Sequence, residues 1–330
     1  MNKVLNPELL GVSKYSADMR PGEVCLANAA AFESIFFSQP LTAYAVGWSI
    51  LTQKLEDELS TLCPAIETPE RFEYMVADNA TAFLGENDDS DIREIDAGFK
   101  TVMARNNMVQ ARTYEKGLVK RLDARDIEAN PNARTQAVDH LKTRLLRAEI
   151  WRAAVLLSGA ATIQNRNWAT GTTADVDPDT DLLQILDACE TASGVMPNRG
   201  VFGAGAWIKR QKGLRASLTP GGFASSSLNE QQLADFLGLD SVARSRAMRT
   251  MNDTAKQRII GQNRVFLFNA QDGASRDDPS NIKRFVSNMF GGRWFVFEQQ
   301  VSARVWDITV AHASNIAITS PLGIAVLDVA

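Results

Sequence analysis

One long helical pattern, which runs from Asn130 to Gly159, constrains the fold more than any other part of the chain. Asn130 and Pro131 are typical of a helix start, because asparagine caps the first amides and proline suits the first helical position. Apolar residues then recur at steps of three or four, which predicts one buried face: Val138, Leu141, Leu145, Ala148, Trp151 and Val155. Charged residues lie mostly off that face: Asp139, Lys142, Arg144, Arg147, Glu149 and Arg152. Gly159 predicts a left-handed helix end. At ~1.5 Å per residue the helix is roughly 42 Å long, so we interpret it as a spine for the fold.

The composition is that of a folded protein of one large or two ordinary domains, with 330 residues, 45% hydrophobic and 22% charged. Its 35 basic and 39 acidic residues give a net charge of −4, which does not support nucleic-acid binding along the whole sequence. Cys25, Cys63 and Cys189 are far apart and odd in number, which disfavours both a disulfide framework and a zinc site and fits a reducing compartment. The sequence predicts no membrane span and no signal peptide, so a cytoplasmic product is expected.

The chain before the spine divides into three kinds of sequence. Residues 1–40 are weakly periodic and contain three prolines that break any long element, so they form either an arm that lies over another part or a compact unit. A helix is predicted from residue 41 to about residue 63, and an alternating, half-buried strand over 71–83.

Residues 85–113 predict a long two-stranded excursion with little core of its own. The acidic run GENDDSDIREID leads into short strand-like pieces around the turn signal Asn106-Asn107. A lone ribbon is marginal in water, so this one packs either on its own domain or on a neighbouring chain.

The chain after the spine alternates helices and strands. Helices are predicted over about 180–193, ending at Gly194, over 206–213, and over 229–237 with Asn229 or Ser227 as cap and Gly238 as stop. Strands are predicted over 200–203, 241–250 and 264–270 and through most of 293–330, and 218–227 is predicted as a loop. This alternation indicates an α/β or α+β domain of roughly 120 residues.

Two motifs resemble ligand sites, but their spacing is wrong. Asp175, Asp177, Asp179 and Asp181 alternate as in a calcium loop, yet the sixth position is Thr180 and the twelfth is Leu186. We interpret these acids as residues that favour the dipole of the following helix. Gly200, Gly203 and Gly205 follow the order GxxGxG rather than a dinucleotide fingerprint, which predicts close strand-to-helix packing instead.

The titratable residues form no catalytic group in the sequence. His140 is predicted to be solvated on the spine, and His312 to be structural in a strand. The acids of the excursion are predicted to be solvated or to face a partner: Glu86, Asp88, Asp89, Asp91 and Glu94. Lys142, Arg144, Arg147 and Arg152 either face a polyanion or pair with Asp139 and Glu149 on the helix surface. We therefore expect no catalytic residue, no cofactor and no metal.

The order of these parts resembles the major capsid proteins of tailed bacteriophages, from about residue 41 to residue 330. The segment ARTYEKGLVKRLDARDIEANPNARTQAVDHLKTRLLRAEIWRAAVLL is similar to the return of the extended loop into the spine helix in one large phage branch. The segments LLQILDACETASGVMPNRGVFGAGAWIKRQKG and LNEQQLADFLGLDSVARSRAM are similar to that branch's axial domain. Each motif is modestly specific, and their shared order is more so.

The resemblance implies an α+β fold and a shell subunit that forms hexamers and pentamers of an icosahedral or prolate head around double-stranded DNA. It implies five segments: an arm and helix (1–60), an extended loop with flanking strands (61–125), a peripheral-domain spine (126–170), an axial domain (171–290) and C-terminal strands that complete both domains (291–330). It also implies inter-subunit contacts through the extended loop: Asp91, Arg93, Phe99, Lys100, Arg105 and Asn106. Lys100 and Asn106 are of the types through which some relatives crosslink, but their surroundings give no reason to expect a crosslink here.

Other implied partners are scaffolding, portal and decoration proteins and packaged DNA bound without sequence specificity, in a virion assembled in the host cytoplasm. Two alternatives remain at this point. One is an encapsulin-like nanocompartment shell with the same fold. The other is a cytosolic α/β enzyme that binds a small acidic or phosphorylated ligand in a deep polar pocket.

Overall fold

The computed structural model describes residues 37–46, 50–76, 95, 107–168, 177–216, 222–252, 255–273, 278, 280–288 and 292–330. The helices are α1 (Gln39–Val46), α2 (Ile50–Leu62), α3 (Ala124–Ala129), α4 (Ala133–Ala160), α5 (Pro178–Ser193), α6 (Ala204–Ala216), α7 (Gly222–Ser226) and α8 (Glu230–Leu237). The strands up to the middle of the chain are β1 (Ala65–Glu67), β2 (Arg71–Met75), β3 (Met108–Arg112), β4 (Tyr114–Asp123), β5 (Ile163–Arg166), β6 (Arg199–Phe202) and β7 (Ser241–Arg244). The later strands are β8 (Met248–Asn252), β9 (Ala255–Arg258), β10 (Arg264–Phe268), β11 (Ile282–Ser287), β12 (Phe295–Ser302), β13 (Val305–Ile318) and β14 (Ala325–Val329). The fold is therefore a mixed α+β fold, as predicted.

The predicted spine is α4, with both ends displaced from the prediction. The helix begins at Ala133, because Asn130 and Pro131 lie in a turn in which Asn130 Oδ1 accepts a hydrogen bond from the Asn132 amide at 3.0 Å. At the other end Gly159 is helical, and Ala161 leaves the helix with an extended φ of −138°. The left-handed end predicted at Gly159 is wrong, because the chain passes directly into β5 and makes no reversal there.

The buried face of α4 is wider than the sequence pattern predicted. Val138, Leu141 and Leu145 are buried as expected, but Val155 exposes 49% of its surface. Lys142 and Glu149, which were assigned to the polar face, are buried as well. The reason is that α4 contacts α2 on one side and β4 and β13 on the other, so more than one apolar stripe is covered.

The long strand β13 is the central strand of one sheet. Residues 305–314 of β13 pair with β4, while its other edge pairs first with β12 and then with β11, all antiparallel. The short strand β1 extends this sheet by pairing in parallel with β11.

The residues just before α1 also contact this sheet. The Ser38 amide donates to the Val296 carbonyl at 3.0 Å, and the Phe37 ring packs edge-on against Phe297. Of the arm predicted over residues 1–40, residues 1–36 lie outside the described part of the chain.

A second sheet has the order β5-β14-β10-β6-β7 and is covered on both faces. In β10, Val265 and Leu267 pack with residues of α5, α6 and α8. The alternate residues, Phe266 and Phe268, pack with residues of α2 and α4 on the opposite face. The buried strand predicted over 264–270 is confirmed, and burial on both faces explains why its sequence is apolar without alternation.

The helices with strong caps agree with the prediction, and two other segments differ. Gly194 and Gly238 end α5 and α8 with φ of 72° and 71°, and Asn229 forms a capping box with Gln232 at the start of α8. The single strand predicted over 241–250 is wrong, because β7 joins the second sheet whereas β8 turns away to form a two-stranded ribbon with β9. Part of the predicted loop at 218–227 forms the short helix α7.

Candidate inter-subunit surfaces

The residues predicted to contact a neighbouring subunit lie outside the described part of the chain: Asp91, Arg93, Phe99, Lys100, Arg105 and Asn106. The acidic positions Glu86, Asp88, Asp89 and Glu94 and the alternating Asp175 lie outside it as well. Their contacts therefore remain predictions. The structure does describe the base from which the excursion leaves and the surfaces around that base.

The base of the excursion is an antiparallel ribbon of β2 and β3. Met75 is paired with Met108, and the Val76 amide donates to the Asn107 carbonyl at 3.0 Å. The rings of Phe72 and Tyr74 pack on Phe285 of the β13 sheet. Their centroids lie 4.4 Å (Phe72) and 5.2 Å (Tyr74) from the centroid of the Phe285 ring. The two strands are thus packed on the sheet through one aromatic face, and positions 77–106 lie between their ends in the sequence.

A single described position within the excursion, Ile95, exposes 95% of its surface. Met108, the first residue of β3, is also exposed. Two large apolar side chains in or next to the predicted excursion are therefore exposed in this chain.

A buried ionic cluster connects the strand that returns from the excursion to the spine. Glu149 of α4 accepts hydrogen bonds from Lys116 Nζ of β4 at 2.8 Å, from Arg152 Nη1 at 2.5 Å and from Ser314 Oγ of β13 at 2.9 Å. The Glu149 side chain is only 1% exposed. The fourth neighbour, His312, places Nε2 3.9 Å from Glu149 Oε1. The sequence analysis did not predict this cluster. The available signal was position, because Glu149 lies four residues after the buried Leu145 and therefore on the same helix face.

The surroundings of the cluster lower the pKa values of both Glu149 and His312. Burial alone favours the neutral acid, but the nearby positive charges, above all Lys116, outweigh burial and lower the pKa of Glu149 to about 2. Burial lowers the pKa of His312 to about 4, against the attraction of Glu149. At neutral pH the cluster therefore holds a carboxylate and a neutral imidazole.

The two histidines do not form a catalytic site. His140 is exposed on α4, and His312 is buried against the Trp294 ring, as the sequence predicted for each. Although His312 lies close to Glu149, both are sealed from solvent, so no substrate reaches this pair. A general base needs access to the proton that it abstracts.

The described aspartates at the start of α5 cap the helix or bond to other side chains. Asp177 caps α5 by accepting from the Asp179 amide at 3.1 Å. Asp179 is buried and accepts two hydrogen bonds from the Arg210 guanidinium at 2.6 and 2.8 Å, and Asp181 accepts from Trp168 Nε1 at 2.9 Å. The prediction that these acids serve only the helix dipole was therefore incomplete. Within the described residues, no three His, Cys, Asp or Glu side chains converge as a metal site requires.

The glycines of the GVFGAG segment allow close backbone packing, as predicted. A Cβ on Gly203 would lie 2.3 Å from the Gly261 carbonyl oxygen, and one on Gly205 would lie 2.5 Å from Asn263 Oδ1. The Gly203 amide also donates to the Arg264 carbonyl at 2.7 Å. The turn between β6 and α6 is thus filled by residues 261–264 of the same chain.

Arg199 of β6 joins α2 to the second sheet. Its Nη1 donates to the carbonyls of Ser60 and Thr61 at 2.7 and 3.0 Å, where α2 ends, and its Nη2 lies 2.7 Å from Asp272 Oδ1. A cavity of about 660 Å³ opens beside it, lined in part by Met196, Asn198 and Asp240. No histidine or cysteine is among the described residues that line this cavity. The arrangement fits a structural junction, since a cation placed at a helix C-terminus stabilises the helix.

The outer face of α4 carries basic side chains. His140, Arg144 and Arg147 are exposed and follow one another at steps of four and three. One turn later, the Arg249 guanidinium of β8 lies 5.4 Å above the ring of Trp151. Lys142, which was grouped with them from the sequence, is instead buried and pairs with Glu56 at 2.8 Å.

Comparisons with known proteins identify the fold. No protein-family model and no curated protein matches the sequence. A phage-related protein from Bordetella bronchiseptica RB50 is similar in structure with a TM-score of 0.63 and 14% identity, over 88% of this chain and 96% of that chain. The capsid protein of a native GTA particle has a TM-score of 0.52 and 14% identity, over 93% of this chain and 100% of that chain. The capsid protein of the cyanophage P-SCSP1u has a TM-score of 0.50 and 11% identity, over 99% of both chains. The chain therefore has the phage capsid protein fold that its sequence resembled.

No helix within the described residues is long and apolar enough to cross a lipid bilayer.

Proposed function

We propose that this chain is a major capsid protein of a tailed phage, and that many copies assemble into hexamers and pentamers of an icosahedral or prolate head around double-stranded DNA. The observation that carries the proposal is the fold match over 93% of this chain and the whole of the GTA capsid protein. The exposed Ile95 and the ribbon fixed at its base support it, because both suit a chain that completes its burial against copies of itself.

Within this proposal, α4 and the β13 sheet form the peripheral domain, and the β10 sheet with α5, α6 and α8 forms the axial domain. The segments 1–60, 61–125, 126–170, 171–290 and 291–330 then correspond to arm, extended loop, spine, axial domain and closing strands. Two strands cross these boundaries: β5 precedes residue 171 but joins the axial sheet, and β11 precedes residue 291 but joins the peripheral sheet. We assign each strand to the domain of the sheet in which it pairs.

We propose the following partners on the same basis. Other copies of the chain are the main partner, and scaffolding, portal and decoration proteins are further candidates. Packaged DNA is enclosed without sequence-specific binding, which the net charge of −4 supports because strong phosphate contacts require dense basic surface. Assembly takes place in the host cytoplasm, and the product is part of the virion.

We propose no catalytic activity. His312 and Glu149 are buried in an ionic cluster, and the cavity beside Arg199 brings Asp240 and Asp272 near an arginine without a histidine. This arrangement offers no nucleophile paired with a base, which hydrolytic or transfer chemistry requires.

Electron microscopy of the purified chain tests the proposal. A capsid protein gives closed particles or isolated hexamers and pentamers, whereas the rival enzyme gives a monomer or small oligomer. A shell found in a genome without portal and terminase genes nearby would instead favour the encapsulin-like alternative. Small, uniform species at all concentrations would contradict both shell functions.

A further inference from the structure

The cavity beside Arg199 has the size and the polarity of a small-ligand site. Its volume is about 660 Å³, within the range of roughly 300–1,000 Å³ that ligand pockets occupy. It lies between the end of α2, the connections that precede β6 and β7, and the connection that follows β10. Most of its lining is polar, and Val195 and Met196 add an apolar part. A ligand held here would therefore contact both α2 and the second sheet.

One edge of the Arg199 guanidinium is only half used. Nη1 donates to the carbonyls at the end of α2, and Nη2 lies 2.7 Å from Asp272 Oδ1. Nε is buried and has no hydrogen-bond partner among the described residues. Arg210 shows the complete arrangement, because its Nε and Nη2 both donate to the Asp179 carboxylate, at 2.6 and 2.8 Å. The corresponding edge of Arg199 can therefore bind a carboxylate through two hydrogen bonds.

Asp272 is a weak occupant of this edge. Its side chain is 82% exposed, whereas that of Arg199 is 6% exposed. An ion pair with one partner in water contributes little to stability, so another carboxylate can replace Asp272 with little loss. A buried donor without a partner is unfavourable. A carboxylate that reaches Nε as well as Nη2 therefore gains a hydrogen bond that Asp272 does not make.

The charges around the cavity select the kind of carboxylate that fits. Among the described residues that line it, Arg199 is the only cation, and Asp240 and Asp272 are the only carboxylates. A simple anion would meet two negative charges, which disfavours it. A ligand with one carboxylate and two ammonium groups offsets all three charges. An aliphatic chain between those groups can pack on Val195 and Met196 while its charged ends stay on polar partners.

We propose that this cavity binds a free basic amino acid, with its carboxylate on Nε and Nη2 of Arg199 and its ammonium groups facing Asp240 and Asp272. The inference goes beyond the proposed function, because binding at this cavity requires no second copy of the chain. A diamine is the other kind of ligand that two carboxylates could hold. The half-used edge of Arg199 favours the amino acid, since a diamine offers that edge no acceptor.

Binding of L-lysine to the purified chain tests the proposal. Isothermal titration calorimetry should show saturable binding at one site per chain, and the unfolding temperature should rise with L-lysine because the ligand binds the folded chain. Cadaverine is the matched probe, since it is lysine without the carboxylate, and it should bind at least tenfold more weakly. Equal binding of cadaverine would overturn the proposal. So would the absence of binding at about 10 mM L-lysine, where a site of millimolar affinity is mostly filled.

Two substitutions locate the binding site. Asp240→Asn removes a charge but keeps an oxygen for Asn198 Nδ2, which donates to Asp240 Oδ2 at 2.9 Å, and it should weaken L-lysine binding at least tenfold. Arg199→Lys keeps the charge but loses the two-nitrogen edge, and it should weaken binding as much. Asp187→Asn, at an exposed position of α5 outside the cavity lining, is the control and should leave the affinity unchanged.

Circular dichroism of each variant checks that it is folded at the titration temperature. If Arg199→Lys does not fold, Asp240→Asn and the cadaverine comparison decide the result. Unchanged affinity in either folded site variant would overturn the proposal, and so would equal weakening in the control. L-lysine binding by a chain that forms no particles would retain the site and reject the capsid function.

Discussion

Lys116 Nζ lies 2.8 Å from Glu149 Oε1, and this ion pair fastens the strand that returns from the excursion to the long helix. Glu149 is almost fully buried, and Lys116 is largely so. Charges removed from water in this way stabilise a fold only when each has its partner, and the loss of one partner is costly. The pair therefore makes the position of the excursion base depend on the helix.

Lys116→Met should lower the free energy of unfolding by about 3 kcal/mol, because the Glu149 carboxylate would remain buried with one cation fewer. Adding Glu149→Gln should recover part of that loss, since the uncompensated charge is then removed. Urea denaturation of the three proteins measures the effect. Lys120→Met, four residues farther along the same strand, is the control; an equal loss there would show that the ion pair contributes nothing specific.

His312 should make the protein less stable as the pH falls from about 6.5 to about 4. Its pKa is lowered to about 4 in the folded chain, from an ordinary value of 6.5. Over this interval the unfolded chain takes up a proton that the folded chain refuses, so acid favours unfolding. His312→Gln should flatten the dependence of the melting temperature on pH in this interval. An unchanged slope in His312→Gln would argue against this assignment.

Glu149 should add a second loss of stability at lower pH. Its pKa is about 2 in the folded chain against an ordinary value of 4.5. The stabilisation is complete above about pH 4.5 and disappears as the pH falls through about 2. Unfolding curves of Glu149→Gln from pH 5 to pH 2 should be flatter than those of the unaltered chain; parallel curves would contradict the assignment.

Two glycine substitutions should change stability in opposite directions. Gly159→Ala places a methyl group where nothing lies within 4 Å, inside a helix, and should stabilise by roughly 0.5–1 kcal/mol. Gly203→Ala places Cβ 2.3 Å from a backbone oxygen and should destabilise by at least about 2 kcal/mol. Thermal unfolding by circular dichroism distinguishes the two results, and the same sign for both would contradict the packing described at Gly203.

Arg199 should contribute more to stability than its exposed partner. Arg199→Met removes the donors to the end of α2 and should cost about 2–3 kcal/mol, because two carbonyls at the helix end lose a charged partner. Asp272 is 82% exposed, so Asp272→Asn should cost less than about 0.5 kcal/mol. Urea denaturation of both variants tests the difference; equal costs would mean that the junction depends on the ion pair rather than on the helix end.

Local signals in the sequence predicted the elements whose boundaries are set by local chemistry. Asn229, Gly194 and Gly238 each cap or end a helix through bonds within a few residues, and the structure has them in those roles. The uninterrupted apolar run from Val265 to Phe268 likewise indicated a buried strand from local sequence alone.

Long-range pairing decided the features that the sequence did not reveal. Lys142 and Glu149 are buried because Glu56, Lys116 and Ser314, distant in the sequence, supply their partners. The division of the strand predicted over 241–250 depends on β6 and β9, which local propensity does not contain. The candidate contacts of the excursion remain predictions, because they would be formed with another copy.

The particle mass of the purified chain tests the central claim most directly, measured by sedimentation with and without the excursion. The variant replaces residues 79–105 with a short Gly-Ser turn, which leaves β2 and β3 complete. The account predicts megadalton particles for the full chain and only monomers or small, soluble oligomers for the variant, with unfolding temperatures within a few degrees of each other. A full chain that stays at its monomer mass of 36.2 kDa under all conditions, or a variant that forms the same particles, would contradict it.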